Sequence, residues 1–287
     1  MEKLTVLIPC KNERHNLRAC VESVRPIAEE VLVADSGSTD GTLELARELG
    51  CRLIEREYIN PSDFKNWAIP QATHSWVLIL DADERASEAL VAEIREILST
   101  GADQDGYTMQ LDNFFLGHRI RHCGWNTTRV LRFFRRDLGR YREQRVHESM
   151  EISTGRVGPL AGKFVHHTCS SLAHYLDKMN RYTTWSAQDA FEAGRRTSFL
   201  GMFFRPPLRF FQFYVLRAGF LDGMAGLVVC MLTAFYTFLK CAKLWELEHG
   251  RPHFERESQR FDPASDRIPS PFGDRKKAGK QAVERQG

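Results

Sequence analysis

The sequence predicts an α/β protein built on a Rossmann-like, mostly parallel central sheet, with an irregular second half and a helical C-terminal region. Three observations predict it. Over the first hundred residues short apolar runs alternate with helical patterns, as a parallel sheet with crossover helices requires. That alternation then stops, and strand-like pieces follow one another directly. Beyond residue 198 an aromatic and arginine-rich stretch leads into a long uncharged segment.

Leu4 to Pro9, Val31 to Asp35, Cys51 to Glu55 and Trp76 to Asp81 read as strands. Between the first two, Leu17, Cys20, Val21 and Val24 recur at i, i+3, i+4 and i+7, the apolar stripe of a helix packed on a sheet. Between the next two, Thr39 or Asp40 is placed to cap a short helix bearing Leu43, Ala46 and Leu49, which Gly50 stops. Ala86 to Leu98 reads as a further helix with Ser87 near its start. Tyr107 to Leu111, Val130 to Phe134 and Val157 to Val165 then read as strands without intervening helices, a partly antiparallel arrangement. Helical spacing returns from Ser170 to Arg195, with Leu172, Tyr175, Leu176, Met179 and Tyr182 along one side.

Phe203, Phe204, Phe210, Phe211, Phe213 and Tyr214 sit among Arg205, Arg209 and Arg217. Gly223 to Leu239 follows with 17 uncharged residues, at the lower edge of the about 17–25 that span a bilayer. The final stretch has little apolar periodicity and reads as a disordered tail. The expected organisation is therefore a nucleotide-fold-like first half (1–105), an irregular second half (106–198), an amphipathic and apolar helical region suited to a membrane surface (199–250) and the tail (251–287).

At 287 residues and 43% hydrophobic, the chain is able to bury a sizeable core. Its 40 Lys and Arg against 37 Asp and Glu leave a formal charge of +3, too little for wholesale wrapping by nucleic acid, and no nucleic-acid partner is expected. Charge is patterned locally: nine arginines between Arg119 and Arg145 meet only Asp137 and Glu143, a surface that suits phosphates. The seven cysteines are scattered, with no C-x-x-C pair, which argues against a disulfide framework and a zinc knuckle. Leu4 to Cys10 is too short for a signal-peptide core, so a cytoplasmic location is expected.

The chemistry concentrates at three strand ends. Asp81-Ala82-Asp83-Glu84 closes the run Trp76 to Leu80. Ligands of open α/β sheets bind outside the carboxyl ends of strands, and side chains two apart in extended chain share a side. Asp81 and Asp83 are thus expected to converge on Mg²⁺ or Mn²⁺, whose hard character suits carboxylate and phosphate oxygens. The plainer alternative is that Asp83 or Ser87 caps the next helix and Asp81 is solvated. Pro9-Cys10-Lys11-Asn12-Glu13 follows the first strand, and Asp35-Ser36-Gly37-Ser38-Thr39-Asp40-Gly41 follows the second, opening a helix whose N-terminus favours anions. Lys65, beside Asn66 and Trp67, supplies a cation for a phosphate or a surface charge.

In order and spacing, Pro9 to Asp83 resembles the family 2 glycosyltransferases with the GT-A fold: strand, K-N-E, D-x-G-S-x-D-G and a D-x-D-like pair. Within that family the chain is similar to the lipopolysaccharide and lipooligosaccharide core β-1,4-glucosyltransferase group. The likeness runs through Ile120-Arg121-His122-Cys123-Gly124-Trp125, Leu131 to Arg136, Val146-His147-Glu148 and Gly219-Phe220-Leu221-Asp222-Gly223, over about residues 1–246. Cys123 departs from the pattern, since glycine is expected there.

The resemblance implies that Pro9 and Glu13 line the nucleotide pocket and that Asp35 reads uracil. Lys65 would sit near the base or diphosphate, and Asp81 with Asp83 would serve ribose and metal. An acidic base is placed at Glu148, with His147 orienting it or the acceptor; the competing reading pairs Glu148 with a neighbouring arginine. His166-His167 ends the last strand-like run, and His167 is the candidate that completes a metal shell, against a buried structural pair. The implied activity is inverting transfer of a hexose, glucose from UDP-glucose, to an anionic lipid-linked oligosaccharide at the inner face of the cytoplasmic membrane. A polyprenyl-phosphate sugar transferase and an inactive membrane-bound scaffold of the same fold are the rivals.

Overall fold

A computed structural model describes residues 2–142, 149–169 and 171–250. The chain divides into two units, Met1–Glu248 and His249–Gly287, and the fold below is that of the first. The tail expected at 251–287 lies outside the described residues.

The first half alternates as expected: β1 (Leu4–Cys10), α1 (Arg14–Val24), β2 (Glu30–Asp35), α2 (Thr42–Glu48), β3 (Arg52–Glu55), α3 (Pro61–Ala68), β4 (Trp76–Ile79), β5 (Glu84–Ala86) and α4 (Glu88–Thr100). The second half holds β6 (Gly106–Phe115), β7 (His118–Arg119), β8 (Arg129–Arg135), β9 (Gly139–Tyr141), β10 (Met150–Ile152), β11 (Val157–His167), α5 (Leu172–Glu192), α6 (Phe199–Phe211) and α7 (Gly223–His249). One sheet joins both halves in the order β3-β2-β1-β4-β8-β6-β11-β5, with β7 paired to β6. β1 runs parallel to β2 and β4, and β2 to β3. β8 is antiparallel to both β4 and β6.

Both sheet faces are covered, which is why the strands read as unbroken apolar runs rather than alternating ones. Leu4, Val6 and Ile8, with Val31, Val33, Trp76 and Leu78, pack against Leu17, Cys20, Val21 and Val24 of α1 and Leu90 and Ile94 of α4. The intervening Leu7, Leu32, Ala34, Val77 and Ile79 face Phe64 and Ala68 of α3. The two-residue period of each strand thus splits one run between two cores.

Two elements depart from the sequence reading. α3 is a helix that apolar spacing did not reveal; Asn60 caps it by accepting from the Asp63 N–H at 2.9 Å, and Pro61 opens it. α2 is capped by Gly41 in the left-handed region at φ +90° rather than by Thr39 or Asp40, while Asp40 accepts from the Thr42 N–H at 3.0 Å. The second half is partly antiparallel as expected, with β8 antiparallel to its neighbours and β6 parallel to β11.

A third apolar cluster joins Phe115, Ile120, Cys123 and Cys169 to Val229 and Cys230 of α7. Gly226 permits the approach, because a Cβ there would collide with the carbonyl oxygen of Gly219. The segment Gly219–His249 is long and apolar enough to cross a membrane by length and composition, with a mean hydropathy of 1.7 over its most apolar window.

Candidate active site

The loops after β1, β2 and β4 meet at the carboxyl ends of these adjacent parallel strands. Asp35 is fully buried, and its carboxylate accepts from the N–H groups of Gly37 at 2.7 Å and Ser38 at 2.8 Å. Gly37, at φ +92°, makes that reversal possible. Asn12 stitches this loop to the preceding one: its N–H donates to Ser38 Oγ, and its side-chain oxygen accepts from Thr39 N–H, both at 2.8 Å. Glu13 starts α1, and its N–H donates to Thr42 Oγ1 at 2.9 Å. Burial lifts the Glu13 carboxyl above its usual range, opposed by a hydrogen bond from Asn16 and reinforced by the charge of Asp83. Pro9 pairs with Ala34 and stands half-buried at the rim of the same loops. Asp35 therefore shapes the loop with its own oxygens, a role the resemblance did not imply.

Asp81 and Asp83 both reach this end of the sheet but are held by different partners. Asp81 Oδ1 lies 3.2 Å from Lys65 Nζ, and Oδ2 lies 2.8 Å from Arg132 Nη2 on β8. Asp83 Oδ2 lies 3.5 Å from His166 Nε2 on β11 and 4.0 Å from Lys178 Nζ on α5. Burial pushes the Asp81 carboxyl up, yet Arg132 and Lys65 outweigh it and hold it well below the ordinary range. For Asp83 the same contest is won by the hydrogen bond and charge of His166. The neighbouring Glu84 is fully buried, accepts from the Asp81 N–H at 3.0 Å and is pushed up to about 7 by burial and by Asp81. Two ionised carboxylates thus sit beside one that is easily protonated.

The expected joint grip of Asp81 and Asp83 on one cation is not what the contacts favour. Both Asp81 oxygens are engaged closely by cations, at 3.2 and 2.8 Å, whereas Asp83 meets His166 and Lys178 through Oδ2 alone at 3.5 and 4.0 Å, which makes Asp83 the carboxylate better suited to a metal. The histidine beside it is His166; His167, the expected ligand, is exposed and packs its ring 5.4 Å from that of Phe114. Strand alternation sends the two neighbours to opposite faces, and only the His167 N–H reaches Asp83, at the carbonyl oxygen. Among the described residues no group of three or more His, Cys, Asp or Glu side chains is placed to hold a metal. Asp83 and His166 nevertheless fit a Mg²⁺ or Mn²⁺ ion that takes its remaining ligands from diphosphate and water, the usual habit of such ions at phosphate sites.

A hydrogen-bonded chain supports His166. Its Nδ1 donates to Asn113 Oδ1 at 2.8 Å, and Asn113 Nδ2 donates to the Trp125 carbonyl at 2.9 Å. Trp125 ends the Ile120–Trp125 loop, whose Arg121 and His122 N–H groups donate to the Asp222 carboxylate at 3.1 and 2.8 Å. Two motifs a hundred residues apart are in this way one joint. Glu148 and His147 lie outside the described residues.

Sequence reasoning missed Arg132, Lys178 and Asn113, and of the pair His166-His167 it favoured the neighbour whose ring does not face Asp83. Arg132 carried a visible signal, an arginine inside an apolar strand between Leu131 and Phe133; Lys178 and Asn113 carried none without the placing of α5 and the register of β6, and the choice between His166 and His167 needed the register of β11.

Comparison with known proteins identifies the family. Residues 5–158 match the family model described as Glycosyl transferase family 2. A lipopolysaccharide core biosynthesis glycosyltransferase, LpsC, of Rhizobium meliloti (strain 1021) is 31% identical over 250 residues, covering 85% of this chain and 92% of that protein. An uncharacterized glycosyltransferase of Rickettsia prowazekii (strain Madrid E) is 28% identical over 86% of this chain and 88% of its own. Among solved structures, glucosyl-3-phosphoglycerate synthase from Mycobacterium tuberculosis, in complex with Mn²⁺, uridine diphosphate and glucosyl-3-phosphoglycerate, shares 16% identity at a TM-score of 0.42, over 69% of this chain and 82% of that one. The chain belongs to glycosyl transferase family 2 and carries its GT-A fold.

Proposed function

We propose that the protein transfers a hexose, glucose from UDP-glucose, to an anionic lipid-linked oligosaccharide such as lipopolysaccharide core, working as a peripheral enzyme on the inner face of the cytoplasmic membrane. The observation that carries this reading is the placing of Asp83 and His166 together at the strand ends, beside Asp81 with its two cations. The Rhizobium relative, a glycosyltransferase of lipopolysaccharide core biosynthesis, supports the acceptor class.

In this reading Pro9, Glu13 and the turn held by Asp35 line the base pocket, and Asp81, fixed by Lys65 and Arg132, meets the ribose. Asp83 and His166 would hold Mg²⁺ or Mn²⁺, which when bound offsets the negative charge of the departing diphosphate. Lys178 adds a fixed positive charge on the same side. An acceptor hydroxyl attacks the anomeric carbon opposite the diphosphate, the carbon–oxygen bond to the diphosphate breaks, and the hydroxyl proton passes to Glu148 as general base. Exposed apolar side chains on α6 and α7, with Phe199 81% and Met224 73% exposed, support attachment to a lipid surface together with Arg205 and Arg209.

A panel of nucleotide sugars, each assayed for Mn²⁺- or Mg²⁺-dependent release of nucleoside diphosphate with truncated-core lipopolysaccharide as acceptor, tests the reading. UDP-glucose should give the fastest turnover. Preference for another donor would replace the sugar, and no release from any donor would remove the enzymatic reading.

A further inference from the structure

Helices α6 and α7 border a groove of about 660 Å³. Every side chain lining it is apolar, with Phe199, Phe203 and Phe210 on one side and Met231, Phe235 and Phe238 on the other. The volume is that of a ligand site, about 300–1,000 Å³, but such sites normally carry a few polar groups to orient a water-soluble ligand, and this lining has no polar side chain.

The charge around the groove narrows the occupant. Arg205, Arg209 and Arg217 are exposed, and no acidic residue occurs from Phe199 to Leu221. Residues 251–287, with nine basic and six acidic side chains, are unsuited to a hydrocarbon slot. An apolar chain with an anionic head matches both features. Phe210 also packs on the cluster of Phe115 and Cys169, residues at the same ends of β6 and β11 as Asn113 and His166. A lipid seated in the groove is therefore on the flank of the candidate active site.

We propose that this groove seats one acyl chain of the lipid acceptor, with its phosphates held by Arg205 and Arg209. The proposal rests on the reading of the acceptor as an anionic glycolipid.

The test uses the full-length protein with Met231→Trp, which fills the groove, and Phe235→Asp, which charges it. Both positions are well exposed, at 55% and 45%, so the fold tolerates change there; retained uridine diphosphate binding verifies this. Two probes are needed: cis-parinaric acid, a fluorescent fatty acid, and truncated-core lipopolysaccharide in intact and deacylated forms. The wild type should take up the fatty acid saturably and show a KM at least about tenfold lower for the intact acceptor, and both variants should lose uptake and close that gap. Equal KM values for the two acceptors in the wild type, or uptake untouched by both variants, would overturn the proposal. So would a dimer in light scattering that the variants dissociate, since a second copy would then be the occupant. Uptake lost in the variants with no transfer to either acceptor would keep the groove as a lipid-chain site and overturn the acceptor reading instead.

Discussion

Nδ1 of His166 lies 2.8 Å from the side-chain oxygen of Asn113, and this contact decides which nitrogen of the ring faces the acidic cluster. Asn113 is 5% exposed and gives its amide N–H to the Trp125 carbonyl, so its oxygen must be the atom that meets His166. The ring therefore carries hydrogen on Nδ1 and turns Nε2 toward Asp83. A partner on the far nitrogen that fixes tautomer and orientation is a common support for a metal-binding histidine.

Asn113→Leu should consequently weaken Mn²⁺ binding by about 10- to 100-fold, the range for such supporting contacts. Electron paramagnetic resonance titration of free Mn²⁺ in the presence of uridine diphosphate measures it. Unchanged affinity would make Asn113 a strand residue with no part in the site.

Arg132→Leu should destabilise the fold by about 2–3 kcal/mol, below the about 3–5 typical of a broken buried pair because Lys65 still faces Asp81. Chemical denaturation gives the stability, and calorimetry should show uridine diphosphate affinity falling with it. A variant of wild-type stability would mean that Lys65 alone suffices.

Glu148→Gln should lower kcat by about 10²–10⁴-fold while leaving donor affinity intact, as expected for loss of a general base. A variant with normal turnover would move the base elsewhere.

The legible part of this protein is the part written in local periods. Val6 and Ile8, Val31 and Val33, and the stripe Leu17–Cys20–Val21–Val24 mark strands and helix by spacing alone, and the loops at Asn12, Gly37 and Asp83 follow as their ends. The second half of the site depends on register instead. Whether His166 or His167 faces Asp83 is settled by the pairing of His166 with Glu84 and Asn113, and one residue of slippage would exchange them. Arg132 reaches Asp81 only because β8 inserts antiparallel beside β4, a neighbour far away in sequence. The cap of α3 by Asn60 and Pro61 was readable from residue types, but the helix is only eight residues long and its apolar spacing is correspondingly faint.

Glu30 gives the fold a pH signature separate from the site. Its carboxylate is opposed by burial but accepts from Thr5, Thr73 and Arg52, which hold it at about 2, below its usual 4.5. Because the folded value is the lower one, the stabilisation is complete above about pH 4.5 and is lost as the pH falls toward 2. Glu30→Gln should cost about 1–2 kcal/mol at neutral pH and progressively less in that acid window. Melting temperatures of both proteins across the range measure it; a constant difference between them would refute the assignment.

Calorimetric titration of uridine diphosphate into the wild type and into Asp83→Asn, each with Mn²⁺ and with chelator, tests the central claim most directly. The wild type should bind at least about 100-fold more tightly with the ion than without it, and Asp83→Asn should lose that gain while still melting cooperatively. Ion-independent binding by the wild type, or an undiminished gain in Asp83→Asn, would contradict the account.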